Sequence, residues 1–339
     1  MELNLRTATK RSIKRALVAS GALRMARRFI EGGALVLMYH SVRDEPQLHA
    51  NSIGIDITHS TAVFQKQMEH VSRKYSPVTV DDLLLFLGGQ KKIPLNCVAV
   101  TFDDGYADNV ETAAPVLNHF GIRASFYVTV NCIETGKPPW PARLRYVFAT
   151  TKKPAWVDPL GCARELRDSA QREIAFLLAC DHCAAMAGDV QEKAVQAIER
   201  GLDTEPLGAS QVPMLTWDQA RKLSESGHIV GSHTLTHPNL AYVQEDELSL
   251  ELMESRRKLE KGLFAPVVHF SYPCPALEPH WTERTVDMTR KAGYLTAVTS
   301  SSGMVRSQDN PLFIRRFPVP TQMDEFIWGL ECSFLGRRM

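Results

Sequence analysis

"CVAVTFDDGYADN", residues 97–109, joins a short apolar run to two adjacent carboxylates. The run is rich in β-branched residues and predicts a buried strand. Asp103 and Asp104 repel each other when both are ionised, and this usually raises one of the two pKa values. Neighbouring side chains in a strand point to opposite faces, so both can serve one site only where the chain leaves the strand, as Gly105 allows. The pair is therefore either a polar turn or part of a functional site.

The pattern around this stretch alternates strand and helix from residue 33 onward. Six short apolar runs read as buried strands. They are "ALVLMYH", "CVAVTFDD", "ASFYVTV", "HIVGSH", "VVHFSYP" and "YLTAVTS". Amphipathic stretches separate them, and four of these are expected to stop at a glycine, namely Gly121, Gly227, Gly262 and Gly293. Repeated strand-then-helix units predict an α/β fold with a mainly parallel sheet, open or closed into a barrel, and a site at the carboxyl ends of the strands.

Composition limits the function classes. The chain has 339 residues, of which 44% are hydrophobic and 23% charged, enough for a full core. A net charge of +1 provides no general field for nucleic acid, so no nucleic-acid partner is expected. Seven cysteines, an odd number, argue against a disulfide framework and favour a reducing, cytoplasmic setting. Neither a bilayer-spanning stretch nor a secretory signal is evident.

The first 32 residues form a basic segment that predicts a helix. Between Arg6 and Arg28 there are eight lysines or arginines and no acid, interleaved with apolar residues at roughly helical spacing. Two interpretations remain open. The segment is either a basic, solvated helix packed on the domain, or a peripheral contact with the anionic inner face of a membrane.

The strand–helix rhythm stops between residues 137 and 212. This region predicts a helical insertion within a domain that spans residues 33–320, followed by a C-terminal helix or tail at 321–339. We expect the insertion to act as a cap or lid near the site. Its Cys180 and Cys183 form a lone CxxC, which favours a pair of reduced, partly buried cysteines over a zinc site.

A second polar stretch, "GSHTLTHPNL" at residues 231–240, places His233 and His237 four residues apart after a predicted strand. If the chain turns helically there, both imidazoles face the same way. Together with the carboxylate of Asp104 they make a three-ligand divalent-metal site with positions left for water and substrate. A cation bound by Asp104 would offset the repulsion between the aspartates and leave Asp103 free to act as a base.

The motifs "TFDDGYADN", "SHTLTH" and "FSYPCP" resemble the three leading motifs of the NodB-homology polysaccharide deacetylases, also called carbohydrate esterase family four. The resemblance runs from about Leu37 to Val319. The flanking "LMYHSV" and "NPLFIRRFPV" resemble a bacterial branch linked to exopolysaccharide pathways. Membership implies a distorted (β/α) barrel with fewer than eight strands, and metal-dependent removal of N-acetyl groups from the amino sugars of a glycan.

The resemblance also implies roles for individual residues. Asp104, His233 and His237 would hold the metal, with zinc expected and cobalt or nickel as alternatives, and Asp103 would be the general base. The oxyanion or substrate contacts are expected at Tyr106, Tyr272, Pro273 and Cys274.

Two departures from the family pattern concern catalytic residues. Ser271 stands where many members carry an arginine that orients the base, and Arg316 is the candidate to replace that arginine. The C-terminal histidine that usually protonates the leaving amine is missing, since no histidine follows His280. His40, which closes the run "ALVLMYH", is the candidate acid because it should lie on the same rim.

Other functions use similar residues. A non-haem iron(II) oxygenase also has two histidines and one carboxylate, but those triads usually include a His-x-Asp/Glu pair, which is missing here. A metal-dependent amidase acting on another amide remains an alternative, because the motifs report the metal and not the sugar. A degenerate glycan-binding protein is disfavoured because all three ligands and the base are present.

Overall fold

The computed structural model describes residues 32–336 and seven positions nearer the N-terminus: 14, 16, 17, 20, 21, 23 and 25. Most of the basic segment 1–32, and therefore the membrane contact considered for it, lies outside the described residues, as do residues 337–339 of the C-terminal tail. Among the described helices, none combines the length and the apolar character needed to cross a bilayer.

The strands and helices alternate as the sequence predicts. The strands are β1 (Ala34–Tyr39), β2 (Ser41–Arg43), β3 (Thr58–Ser60), β4 (Ser76–Pro77), β5 (Cys97–Phe102), β6 (Ala124–Val128), β7 (Ala155–Val157), β8 (Ala163–Glu165), β9 (Ile229–Ser232), β10 (His269–Ser271), β11 (Thr296–Val298) and β12 (Phe317–Pro318). The α-helices are α1 (Thr61–Lys74), α2 (Val80–Leu87), α3 (Ala114–His119), α4 (Val130–Thr135), α5 (Trp140–Thr150), α6 (Ser169–Ala184), α7 (Gly188–Leu202), α8 (Trp217–Glu225), α9 (Glu245–Leu263), α10 (Glu283–Lys291) and α11 (Met323–Phe334). A π-helical turn, Asn109–Ala113, precedes α3.

The main sheet is parallel and curls into a distorted barrel. Seven strands follow one another in the order β11-β10-β9-β6-β5-β1-β12, and the short β4 pairs with β5 off this path. The segment before β12 brings the ends of the sheet together, since Ile314 bridges to Val298 of β11 while Phe317 pairs with Leu37 of β1. The prediction of a barrel with fewer than eight strands is confirmed.

Side chains of the central strands alternate between two apolar layers, as the period of a strand requires. On β5, Val98, Val100 and Phe102 pack in the main core between the sheet and the helices. Cys97 and Ala99 belong to a second cluster inside the barrel, into which α2 also inserts apolar residues at the amino-terminal end. The opposite end of the barrel, at the carboxyl ends of the strands, is left for polar side chains.

The prediction that α9 stops at Gly262 is wrong, because this helix continues to Leu263 and is followed by Phe264 with a φ of 56°. A Cβ on Gly262 would lie 2.4 Å from the ring of Trp217, at the start of α8. This glycine is therefore required by the close packing of α9 on α8 and does not terminate the helix. The other three helices are followed by glycines with positive φ, at 121, 227 and 293.

The region 137–212 contains helices α5, α6 and α7 and the antiparallel hairpin β7–β8, which the sequence pattern did not predict. Its apolar residues form a cluster of their own, separate from the barrel core. Cys180 and Cys183 are both buried in this cluster on α6, and neither forms a disulfide. These two cysteines have the surroundings of core residues.

Candidate active site

Asp103 continues the inward-facing series of β5 and lies buried at the carboxyl end of the barrel, with 3% of its surface exposed. Arg316, just before β12, reaches it from across the barrel. The guanidinium donates two hydrogen bonds to the carboxylate, from Nη1 to Oδ1 at 2.8 Å and from Nη2 to Oδ2 at 2.7 Å. The same side chain also donates to Thr299 O and to Ser271 Oγ. Such a bidentate contact fixes the orientation of the carboxylate and stabilises its ionised form.

Burial by itself would raise the pKa of Asp103, since desolvation penalises the charged form. The charge of Arg316 and its two hydrogen bonds oppose the effect of burial and hold the pKa below its ordinary value. Asp103 is therefore ionised at neutral pH and able to accept a proton.

The side chain of Asp104 does not have to point to the face opposite Asp103, as it would in a strand, because β5 ends at Phe102. Its φ of 73° lies in the left-handed region, and Gly105 follows with a φ of 84°. A Cβ on Gly105 would lie 3.0 Å from Val128 Cγ1, so this turn also needs the missing side chain. The two successive residues turn the chain and allow both carboxylates to serve the same site.

His233 and His237 lie on the loop after β9, and the chain does not form the helical turn considered for this segment. Instead, Thr234 and His237 have left-handed φ values of 68° and 64°, and this bends the loop back on itself. The ring centroids of the two histidines lie 4.9 Å apart. Nε2 of His233 lies 3.6 Å and Nε2 of His237 lies 3.4 Å from Oδ1 of Asp104.

The donor set of this cluster fits a divalent cation. One ligand atom from each of Asp104, His233 and His237 falls within 4.8 Å of the others, and all three residues are buried. His233 Nδ1 lies 2.8 Å from the carbonyl of Ser271, which can only accept, so Nδ1 carries the proton and Nε2 keeps its lone pair. Burial also lowers the pKa of His233 to about 4, which keeps the imidazole neutral.

His237 has a polar atom without a partner, since within the described residues its buried Nδ1 forms no hydrogen bond. Its carbonyl accepts a hydrogen bond of 2.9 Å from the indole nitrogen of Trp140, a residue of the insertion. Burial would raise the pKa of Asp104, but the hydrogen bond from His237 and the other imidazoles nearby lower that pKa well below its ordinary value. Asp104 is thus a carboxylate, the form that metal coordination requires.

His40 follows β1 at the same rim and is one of the nearby groups that lower the pKa of both Asp103 and Asp104. Two residues of the "TFDDGYADN" motif hold its segment in place. Asn109 Nδ2 donates to the carbonyl of His40 at 2.8 Å. The carboxylate of Asp108 accepts hydrogen bonds from the three residues that follow His40, which are Ser41, Val42 and Arg43.

The four residues expected at the substrate lie in different surroundings. Tyr106 is buried and lies opposite Met214 in an isolated antiparallel bridge. The hydrogen bonds of this bridge are made by the residues that flank Tyr106 and Met214, so the N–H of Tyr106 does not take part in them. The Tyr272 side chain packs in the main core, and its hydroxyl donates a hydrogen bond to Leu312 O. Pro273 is buried, while Cys274 is exposed.

Sequence reasoning missed several residues that contact this site. His280, which the sequence could not place, has both ring nitrogens within 3.3 Å of Cys274 Sγ. Asp108 and Asn109 were visible within the motif, but no pattern indicated that they bind the His40 segment. Glu251 of α9 bonds the backbone between the two histidines, and nothing in an amphipathic helix distinguishes it from a solvated acid.

Replacing Arg316 with methionine is expected to destabilise the fold by about 3–5 kcal/mol at neutral pH, because a buried carboxylate loses its partner. The lowered pKa of Asp103 contributes stability above its ordinary pKa, and this contribution is lost as the pH falls through the folded value. In the variant burial raises that pKa, so Asp103 is protonated on mild acidification and the deficit shrinks. Denaturant unfolding at neutral and acidic pH measures both effects. Arg315→Met, a partly exposed neighbour, is the control, and equal losses in both variants would contradict the prediction.

Solved structures with the same fold are found among deacetylases. The chain is similar to the Streptococcus pyogenes deacetylase PplD in complex with acetate, with 17% identity, a TM-score of 0.59, and coverage of 90% of this chain and 99% of that chain. It is also similar to IcaB from Ammonifex degensii, with 18% identity, a TM-score of 0.58, and coverage of 89% and 97%. At these identities the likeness shows the fold alone.

Sequence comparisons identify the family. A Bacillus subtilis (strain 168) protein named "Putative polysaccharide deacetylase YxkH" is 33% identical over 94 residues, which are 27% of this chain and 30% of that protein. The chain therefore matches less than a third of this relative's length. The sequence model of the polysaccharide deacetylase family matches residues 90–297, more than half of the chain, and includes both aspartates and both histidines. The chain belongs to the polysaccharide deacetylase family.

Proposed function

We propose that this protein is a metal-dependent hydrolase that removes N-acetyl groups from amino-sugar residues of a glycan. The observation that carries the proposal is the pairing of two carboxylates with separate partners. Asp103 is held by Arg316, while Asp104 lies between two histidines. One carboxylate is thus oriented as a base, and the other belongs to a cluster suited to a cation.

We propose zinc as the resident ion, held by Asp104, His233 and His237. This donor set suits zinc, with cobalt and nickel as alternatives of similar ligand preference. An ion there supplies Lewis acidity, which polarises an acetyl carbonyl and lowers the pKa of a water molecule. The protein's own contribution is to keep the His233 imidazole neutral and the Asp104 carboxylate ionised, as the pKa shifts of these two groups favour.

Asp103 is the proposed general base, accepting the proton of the attacking water. Arg316 acts through Asp103 and is a positioning residue, since both of its terminal nitrogens bind that carboxylate. The N–H of Tyr106 is the proposed oxyanion donor. It lies two residues after Asp104 and takes no part in the backbone pairing around it.

His40 is the proposed acid that protonates the leaving amine. Replacing it with alanine should leave metal content and fold unchanged while kcat for an amide falls by about 10²- to 10⁴-fold. The alkaline limb of the pH profile should disappear with it. An ester substrate should be affected much less, because an alkoxide leaves more readily than an unprotonated amine. Rates of acetate release from a matched amide and ester measure this, and equal losses on both would exclude the role.

A substrate panel tests the proposed function. Acetate release is measured on N-acetylglucosamine oligomers, lipid-linked N-acetyl sugars and simple amides, each with and without a chelator. Release from the sugars that the chelator abolishes would support a glycan deacetylase. Release from simple amides but not from sugars would favour the amidase alternative, and sugar deacetylation that is insensitive to chelator would contradict the proposed metal dependence.

A further inference from the structure

Glu251 is a buried carboxylate on α9, with 2% of its surface exposed. In the described part of the chain no lysine or arginine forms an ion pair with it. A buried acid without such a partner costs stability unless hydrogen bonds replace its hydration. Its two oxygens obtain these bonds from one place, the loop that carries the histidines.

The carboxylate accepts three hydrogen bonds from two adjacent residues of that loop. Oε2 accepts from the N–H of Leu235 at 2.8 Å and from the N–H of Thr236 at 3.0 Å, and Oε1 accepts from the hydroxyl of Thr236. Leu235 and Thr236 are two of the three residues between His233 and His237. Glu251 therefore binds the middle of the segment that separates the two candidate ligands.

This loop needs an external partner, because its conformation is not one that the backbone adopts readily. Thr234 and His237, on either side of the bonded residues, both have left-handed φ values, which cost energy for residues other than glycine. The Thr236 hydroxyl also accepts a hydrogen bond of 3.1 Å from the N–H of Gly188, the first residue of α7 in the insertion. The loop is thus held by the barrel helix α9 through Glu251 and by the insertion through Thr236.

We propose that Glu251 is a positioning residue that sets the separation of His233 and His237, and that Thr236 extends this support to the insertion. The inference rests on the metal site of the proposed function. Backbone N–H groups bonded to a buried carboxylate make short, strong contacts, so the carboxylate fixes the loop more firmly than water would. Groups that orient metal ligands typically affect metal affinity by about 10- to 100-fold.

Two substitutions at Glu251 separate geometry from charge. Glu251→Ala removes all three hydrogen bonds. Glu251→Gln keeps an oxygen that can accept both N–H groups and an amide that can donate to the Thr236 hydroxyl, so it should largely restore the loop. Glu254→Gln, which changes a partly exposed acid of the same helix that pairs with Arg257, is the matched control.

The readout is the affinity of the metal-free, full-length protein for zinc, measured by competition with a chelator of known affinity. Glu251→Ala should bind zinc about 10- to 100-fold more weakly than the unmodified protein, whereas Glu251→Gln should stay close to it and Glu254→Gln should match it. Wild-type affinity in Glu251→Ala, or equal losses in the alanine and glutamine variants, would overturn the proposal.

Circular dichroism establishes that each variant is folded at the temperature of the titration. If Glu251→Ala does not fold, the proposal is tested with Thr236→Val. This substitution removes only the hydroxyl that links Glu251 to Gly188 of the insertion. The hydroxyl makes two hydrogen bonds, each with an effect of about fivefold, so zinc affinity should fall by about 5- to 25-fold, and an unchanged affinity would overturn the proposal. Failure of the unmodified protein to bind zinc would instead contradict the proposed function itself.

Discussion

Replacing Asp104, His233 or His237 with alanine is expected to remove bound metal and acetate release together. The three ligand atoms lie within 4.8 Å of one another. Among the described residues, no further acid, histidine or cysteine belongs to this cluster, so none is placed to replace a lost ligand. Loss of a Lewis acid removes several kcal/mol of transition-state stabilisation, so turnover should fall by about 10³-fold or more. Elemental analysis of the purified variants and acetate release from the same samples measure the two effects.

The control for this series is His119→Ala, which removes an exposed histidine at the end of α3. It should retain both metal and activity. Stoichiometric metal in all three ligand variants would defeat the assignment of the site. Loss of activity with metal retained in one variant would remove that residue from the ligand set.

Asp103→Asn is expected to separate the base from the ligands. The amide keeps the shape of the carboxylate but cannot take a proton from water, so turnover should fall by about 10²-fold or more while metal is retained. In the unmodified protein, the guanidinium of Arg316 donates to both oxygens of Asp103. In the variant, one of these oxygens is replaced by an N–H₂ group, which cannot accept a hydrogen bond from the guanidinium. Some stability is therefore lost, and turnover has to be compared at a temperature where both proteins are folded.

The pH profile is the internal control for this variant. Because Asp103 has a lowered pKa, the unmodified protein should keep its base ionised down to acidic pH, and the limb due to this group should be missing from Asp103→Asn. Metal content, measured in parallel, distinguishes the loss of a base from damage to the neighbouring Asp104. Near-normal turnover would show that another group accepts the proton.

The mainly parallel sheet and the rim position of both motifs could be predicted, because they depend on local patterns. The strand β5 reads as a strand from its own residues, and the carboxyl ends of parallel strands meet at one edge. The contact between Asp103 and Arg316 could not be predicted from local patterns, because the two residues are 213 positions apart in sequence. Only the resemblance to a family, in which an arginine serves this purpose, brought Arg316 into consideration.

The errors and omissions have a common physical origin in tertiary packing. Gly262 lies where a glycine commonly ends a helix, but glycine is required there because the ring of Trp217 leaves no space for a side chain. The spacing of His233 and His237 suggests a helical turn, whereas the loop reaches the same convergence through two left-handed residues. Glu251 has no local signal, because its role depends on a loop 15 and 16 residues away along the chain.

The central claim is that this cluster binds a metal on which amide hydrolysis depends, and reconstitution tests it most directly. Zinc is added in steps to metal-free protein, and bound zinc and acetate release from an N-acetylglucosamine oligomer are measured on each sample. We predict that activity starts near zero and rises in proportion to bound zinc until one ion is held per chain. Full acetate release by protein shown to contain no metal would contradict the account.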